Sequence, residues 1–289
     1  RAMNHTDDNS QLNPGDVRRR IDRAASGLDA VDLVNSATRE GLLTRLAPML
    51  IDAKTIVDLG CATGAGGRAL SKQFRRAHII SIDLSQQMLR QAQHKRSLLG
   101  RRSVLQANAA ALPLAAHSVD LVFANLLLPW ISDLTTLFTE LSRVLRKDGL
   151  FIFSALGPDS LRELRRAWRG ASDDAHVNHF PDMHDIGDAA VRSGLRDPVL
   201  DVDRLRVSYE KPEAFFADLT ALGGRNSLQY RSRSLTGKVR FGAMKAALTE
   251  SGSLALDLEL VYGHCWGSGA SPAGAEVRID AVQIGRRKR

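Results

Sequence analysis

The sequence predicts a doubly wound α/β fold: a mostly parallel seven-stranded sheet with an antiparallel edge strand and a helical cap. Three observations predict it. Short runs rich in Val, Ile, Leu and Phe recur between residues 55 and 155, and helical patterns long enough for parallel crossovers lie among them. The first run ends in a turn of small residues that opens directly into a helix. After Gly157-Pro158 the character changes, and two alternating runs separated by helices suit an antiparallel edge and a cap over the sheet.

Taken in order, residues 1–15 are polar, carry Pro14-Gly15 and show no period, so a disordered start through residue 16 is expected. Val17 to Leu50 is helical, with a break near Ser26-Gly27. Thr55–Leu59 reads as the first strand and Gly64–Phe74 as the helix that follows it. His78–Asp83 is the second strand, and Ser85 is a good N-cap for a helix through Arg96. Val104–Asn108 is the third strand, and Val119–Asn125 the fourth, buried on both faces by its apolar content. Asp133–Arg146 is a helix with Leu134, Leu137, Phe138 and Leu141 on one face, after which Asp148-Gly149 turns into a strand at Leu150–Ala155. Farther on, Leu161–Arg169, Met183–Ser193, Pro212–Leu222 and Lys238–Glu250 read as helices, and Leu200–Tyr209 and Leu254–Trp266 as strands. The expectation is one domain over 17–266, with a ligand-binding core at about 40–156 and the cap and late strands at about 157–266. Residues 267–289, rich in Gly, Ser and Ala and ending in Arg286-Arg287-Lys288-Arg289, are expected to be a mobile tail.

Composition narrows the function classes. The 289 residues carry 40 Lys+Arg against 32 Asp+Glu, a net charge of +8, which attracts an acidic partner: nucleic acid, an acidic protein or an anionic substrate. Nine Phe, three Tyr and three Trp are few for a stacking platform on single-stranded nucleic acid. The most apolar stretch, Val119 to Ile131, is interrupted by Asp120, Asn125 and Pro129, which argues against a membrane span. Cys61 and Cys265 make no disulfide framework, and no His or Cys grouping suggests a metal site. With no apolar signal core near the start, a cytoplasmic location is expected.

The sharpest local signal is Val57-Asp58-Leu59-Gly60-Cys61-Ala62-Thr63-Gly64. Small residues at 60, 62 and 64 let the backbone turn tightly and lie against a ligand, and the free N–H groups of the next helix face it. Asp83 ends the second strand 19 positions past Gly64, about where an acidic residue reaches a ribose hydroxyl pair. A dinucleotide loop needs G-x-G-x-x-G, and this one offers Gly60, Ala62 and Ala65 in those slots. Asp58 would repel a pyrophosphate but accept from an ammonium, which favours a nucleoside bearing an amino-acid tail.

These segments resemble a known family. Asp58-x-Gly60-x-Ala62-x-Gly64, Ser81-Ile82-Asp83-Leu84-Ser85-x-x-Met88-Leu89, Asn108-Ala109-Ala110-Ala111-Leu112-Pro113 and Ser142 to Gly149 are similar to the serial motifs of class I S-adenosylmethionine-dependent methyltransferases. The resemblance implies that the 60–64 loop holds the methionine portion and Asp83 the ribose. Leu84 and Met88 would flank the adenine, Asn108 and Ala109 would meet its edge, and Asn125 would line the sulfonium side. Ala62 stands where that family usually has Gly, and Asn108 where Asp is usual.

In the second half, Gly157-Pro158-Asp159-Ser160-Leu161-x-Glu163-Leu164-Arg165, Phe180-x-Asp182-Met183-His184-Asp185-Ile186-Gly187-Asp188, Asp197-Pro198-Val199-Leu200-Asp201 and Val261-Tyr262-Gly263-His264-x-Trp266-Gly267 stand out. They are similar to the malonyl-acyl-carrier-protein O-methyltransferase family of biotin synthesis. The resemblance implies methyl transfer from S-adenosylmethionine to the free carboxylate of a malonyl thioester on an acidic acyl-carrier protein. Arg162, Arg165, Arg166 and Arg169 share one helix face, and a guanidinium there would orient a carboxylate that is already ionised at pH 7 and needs no base. Arg165 is the expected carboxylate holder and His184 a second substrate-positioning candidate. Leu28 stands where the family often carries Tyr, and Pro129 where Gln is common. Two other readings stay open: an arginine hydroxylase or non-catalytic assembly protein like the related complex I assembly factor, and, from charge alone, an RNA methyltransferase.

Overall fold

The computed structural model describes residues 11–95, 101–172, 174–231, 236–250 and 254–269. Seven strands form one sheet: β1 (Thr55–Leu59), β2 (His78–Asp83), β3 (Arg101–Gln106), β4 (Val119–Ala124), β5 (Leu145–Leu156), β6 (Leu195–Tyr209) and β7 (Leu254–Gly267). Their order is β3-β2-β1-β4-β5-β7-β6. The first five are parallel, and β7 runs antiparallel to both of its neighbours. The reversed strand is therefore next to last, and β6 forms the outer edge.

Nine helices accompany the sheet among the described residues: α1 (Pro14–Ala24), α2 (Leu33–Leu46), α3 (Ala65–Gln73), α4 (Gln86–His94), α5 (Leu134–Val144), α6 (Arg162–Arg169), α7 (Met183–Arg192), α8 (Pro212–Ala221) and α9 (Lys238–Leu248). Their starts follow from capping chemistry. Ser85 Oγ accepts from Met88 N, Asp133 Oδ1 from Thr136 N at 3.0 Å, and Asp182 Oδ1 from His184 N at 2.8 Å, each satisfying a donor that the first helical turn leaves open.

The pleat sorts side chains onto two buried faces. On β5, Leu150 and Ile152 join Leu42, Leu46, Ile56 and Phe123 on one face, beneath α2 and α6. Phe151 and Phe153 point the other way and stack at 4.9 Å between centroids, with Phe138 of α5 edge-on to Phe151 at 5.9 Å. Apolar cover on both faces is what makes the central strands read as unbroken hydrophobic runs.

Several boundaries differ from the sequence reading. Asn13 Oδ1 caps α1 through Asp16 N, so the helix begins at Pro14, and buried Leu12 bridges to Leu228; residues 11–16 belong to the fold, while residues 1–10 lie outside the described ones. β3 begins at Arg101 and ends at Gln106, because an edge strand tolerates the polar Arg101-Arg102-Ser103 that an apolar-run rule passes over. β5 and β6 each start earlier than their apolar runs, across register shifts where Asp148 and Asp197 take positive φ values of 60° and 50°. The α4 end proposed at Arg96 and the basic tail beyond residue 269 fall outside the described residues.

The parallel register brings the C-terminal ends of β1, β2, β4 and β5 to one edge of the sheet. Over that edge lie α1, the short 3₁₀ turn Leu28–Val31, α8 and the α6–α7 segment.

Candidate active site

A cavity of about 280 Å³ opens at this edge. Its floor is the loop after β1. Gly60, Ala62 and Gly64 all take left-handed conformations, with φ of 68°, 46° and 80°. Gly60 N and Cys61 N donate to Ile82 O at 2.8 and 3.0 Å, and Gly64 N to Cys61 O at 2.8 Å, so the turn is fastened to β2. A Cβ on Gly60 would stand 2.9 Å from Leu127 Cδ1, and one on Gly64 2.9 Å from Ala92 Cβ; neither position accepts a side chain without displacement. Ala62 carries the left-handed strain that glycine would avoid. Ala62→Gly is expected to stabilise the protein by up to about 1 kcal/mol. Paired thermal melts check this, and a lower Tm for the variant contradicts it.

Asp83 closes one side of the loop. Its Oδ2 accepts from Ala62 N at 2.9 Å and its Oδ1 from Ser85 N at 2.8 Å. Burial raises its pKa above the usual carboxylate range, against the pull of those main-chain donors. A carboxylate has acceptor capacity for about four bonds, so this one can still take a vicinal hydroxyl pair from the cavity.

Asp58 lies beneath the first turn of α3. Its Oδ2 accepts from Gly67 N at 2.6 Å, and a Cβ on Gly66 would stand 2.7 Å from Oδ1, so two glycines let the helix settle onto the carboxyl. Burial pushes its pKa up to about 7; the nearby Asp83 carboxylate adds to the rise, and Arg102 and Arg39 oppose it. The result is a carboxyl at the cavity wall that is costly to ionise until a cation arrives.

The remaining predicted residues converge as well. Leu84, Met88, Asn108, Ala109 and Asn125 all line the cavity, and Gly64 sits just behind the lining as the cap of α3. Asn108, expected at the adenine edge, accepts from Ala110 N through Oδ1 at 3.0 Å. Asn125 is fixed from both ends: its Nδ2 donates to Asn35 O at 2.9 Å and its Oδ1 accepts from Ser154 Oγ at 2.9 Å. From there the cavity continues into an apolar lobe under the cap, walled by Leu161, Phe180, Val207, Phe215 and Leu258.

The sequence model of the methyltransferase-domain family matches residues 57–153. A malonyl-[acyl-carrier protein] O-methyltransferase of Methylovorus sp. is 40% identical over 259 residues, covering 86% of this chain and 88% of the relative. A protein of the same name from Halorhodospira halophila is 37% identical over 295 residues, covering 96% of this chain and all of the relative. This chain belongs to the malonyl-[acyl-carrier protein] O-methyltransferase family. Solved structures agree on the fold. The YcgJ protein of Bacillus subtilis superposes with a TM-score of 0.57 at 16% identity, over 79% of this chain and 98% of that one. A Haemonchus contortus phosphoethanolamine N-methyltransferase, solved with S-adenosylhomocysteine, gives 0.56 at 17% identity, over 87% of this chain and 60% of that one.

Two residues read as substrate-positioning are not brought into the cavity of this malonyl-[acyl-carrier protein] O-methyltransferase family member. Leu161 takes a positive φ of 58° just before α6, and this turn folds the preceding carbonyls back onto Arg165. The Arg165 guanidinium donates to Pro158 O at 3.0 Å, Ser160 O at 2.5 Å and Asn178 O at 3.1 Å, and lies 5.3 Å from the centre of the Phe180 ring. It braces the lobe from behind. Arg165→Ala is expected to cost about 1–3 kcal/mol of stability while leaving nucleoside affinity within about twofold; melts and calorimetry check the two halves. His184 is exposed, with Nδ1 2.6 Å from Asp182 Oδ1, and completes a helix start rather than a site.

Departures from the family pattern find local explanations. Leu28 is buried against Met88 and Ala62, closing the roof by apolar contact where a tyrosine would bring a hydroxyl. Pro129 and Trp130 both line the cavity, and Trp130 packs against Leu12, Val17 and Leu228. The sequence reading missed Asn35 and Arg39 of α2, which also line the cavity. No pattern in α2 marks them out, because Asn, Ser, Thr, Arg and Glu are spread around the helix.

Proposed function

We propose that the chain transfers a methyl group from S-adenosylmethionine to the free carboxylate of a malonyl thioester carried by acyl-carrier protein, an early reaction of biotin synthesis. One observation supports this most: a single cavity joins the Asp58–Asp83 loop site to an apolar lobe, and no His or Lys is among the described residues lining it. A malonate carboxylate arrives ionised at pH 7, so such a site lacks nothing it needs. The substrate itself is inferred from relatives that share most of their length with this chain.

The residues present fit the nucleoside. Gly60 and Gly64 let the loop take its left-handed turns tight against Leu127 and Ala92, Asp83 offers acceptors for a ribose, and Leu84, Met88 and Ala109 supply apolar walls for an adenine. When bound, S-adenosylmethionine supplies a methyl group on a sulfonium, which a carboxylate displaces as the sulfur leaves as a thioether. The protein's task is orientation. Asp58 accepts the amino-acid tail's ammonium, Asn125 holds the wall beside the sulfur, and the lobe strips water from the incoming carboxylate. A basic surface of net charge +8 suits an acidic carrier protein. Among the described residues no helix is long and apolar enough to cross a membrane, and a cytoplasmic site of action accords with the proposed pathway.

The test is transfer of labelled methyl from S-adenosylmethionine to malonyl-carrier protein. A base-labile methyl ester that does not form with acetyl-carrier protein is expected. Binding of the nucleoside without ester formation would refute the substrate.

A further inference from the structure

A lobe that takes a carboxylate out of water must offer it a hydrogen-bond donor, because a buried charge without one is costly. The segments that wall the lobe bring two polar side chains to the cavity, Asn178 and Tyr209. Tyr209 spends its proton on Asp218 Oδ2, at 3.1 Å. Asn178 keeps a donor in hand. It lies between α6 and α7, is 6% exposed, and is held at both of its oxygens. Its carbonyl accepts from Arg165 Nη2 at 3.1 Å, and its Oδ1 accepts from Ser227 N at 2.9 Å. Ser227 is fully buried, and beside it Asn226 Nδ2 donates to Ala175 O at 2.6 Å, so the two loops are tied together. A main-chain N–H facing Oδ1 fixes which way round the amide lies, and Nδ2 points away from Ser227. Among the described residues Nδ2 has no partner, and the atom is not sealed from its surroundings. Buried polar groups are nearly always paired, so an open donor on a residue that lines a cavity points to a ligand.

Resting on the substrate reading above, we propose that Asn178 Nδ2 donates to the malonyl carboxylate in the lobe. One carboxylate oxygen accepts from the amide. The other forms the new bond to the methyl carbon, whose bond to sulfur breaks with the electron pair left on the sulfur; no proton moves. A neutral donor suits this task. It orients the carboxylate and covers part of its charge, yet draws less electron density from the attacking oxygen than a guanidinium would. The same amide separates malonyl from acetyl thioesters, since an acetyl group leaves Nδ2 buried without an acceptor.

The experiment follows methyl-ester formation on malonyl-carrier protein, and its inhibition by acetyl-carrier protein, at saturating S-adenosylmethionine. Asn178→Asp keeps an acceptor for Ser227 N and replaces the donor with a second acceptor. At pH 8 its kcat/KM for malonyl-carrier protein is expected to fall about ten- to a hundredfold, with the inhibition constant of acetyl-carrier protein and the affinity for S-adenosylhomocysteine each within about threefold. Lowering the pH to 5.5 protonates the new carboxyl and restores a donor, so the variant should regain part of its loss relative to the unaltered protein. Asn178→Ala should lose as much at pH 8 and regain nothing. Equal losses for the malonyl and acetyl carriers in Asn178→Asp would show a structural role and overturn the proposal, as would unchanged kcat/KM. Failure of the unaltered protein to form the ester would instead remove the substrate reading, and the proposal with it.

Discussion

Asp83→Ala is expected to raise the dissociation constant for S-adenosylhomocysteine by about a hundredfold or more. Two effects combine. The carboxylate supplies the acceptors proposed for the ribose hydroxyls, and hydrogen bonds to a charged group contribute about 1.5–3 kcal/mol each. The same carboxylate anchors Ala62 N and Ser85 N, so its removal frees the loop whose left-handed turns shape the cavity floor. Asp83→Asn separates the two. It keeps one acceptor for Ser85 N but turns a donor toward Ala62 N or the ligand. Its affinity should fall nearly as far, while its thermal stability stays closer to the unaltered protein. An alanine variant that binds within threefold of the unaltered protein would exclude the ribose role.

The second large effect is expected at Asp58, where ligand binding and stability move in opposite directions. Its folded pKa, about 7, lies above the unfolded value of 3.8. The group's favourable contribution to stability is therefore complete below about pH 4 and is lost as pH rises through 7, a span worth on the order of 4 kcal/mol. Asp58→Asn removes the buried charge and can keep the acceptor for Gly67 N, so at pH 8 the variant should melt higher than the unaltered protein. Its affinity for S-adenosylhomocysteine should fall about ten- to a hundredfold, because the ammonium loses its counter-ion. The pH dependence follows with the same sign. Below pH 7 the free carboxyl must give up a proton to meet the ammonium, so affinity weakens by up to tenfold per unit as pH drops from 7 toward 5.5, and Asp58→Asn flattens this slope. Calorimetry between pH 5.5 and 8 reads both, and a flat profile for the unaltered protein would contradict the assignment.

Much of the fold was legible because the central strands are buried on both faces, and a doubly buried strand writes itself as an apolar run. Edges were not. β3 opens with Arg101-Arg102-Ser103, and β6 alternates apolar positions with Asp201, Asp203, Arg204 and Arg206 across a bulge, so neither boundary stands out. The cofactor side of the site was legible from spacing, since Asp58, the 60–64 loop and Asp83 lie within one strand–helix–strand unit whose geometry is local. The substrate side depends on tertiary docking. Periodicity put the arginines of α6 on one face, but it carries no information on the turn at Leu161 that folds main-chain carbonyls onto Arg165. His184 follows an aspartate that claims its ring as part of a helix cap. Arg39 was passed over because nothing in α2 itself reveals which of its faces overlooks the loop after β1.

In the proposed function one cavity takes up a nucleoside through its sugar and its charged tail. Titrating the full chain with S-adenosylhomocysteine measures that directly. The expected result is one equivalent bound, with a higher Tm in its presence and an affinity at least tenfold above that for 5′-methylthioadenosine. Well-folded protein that shows neither heat nor a melting shift with S-adenosylhomocysteine would contradict it.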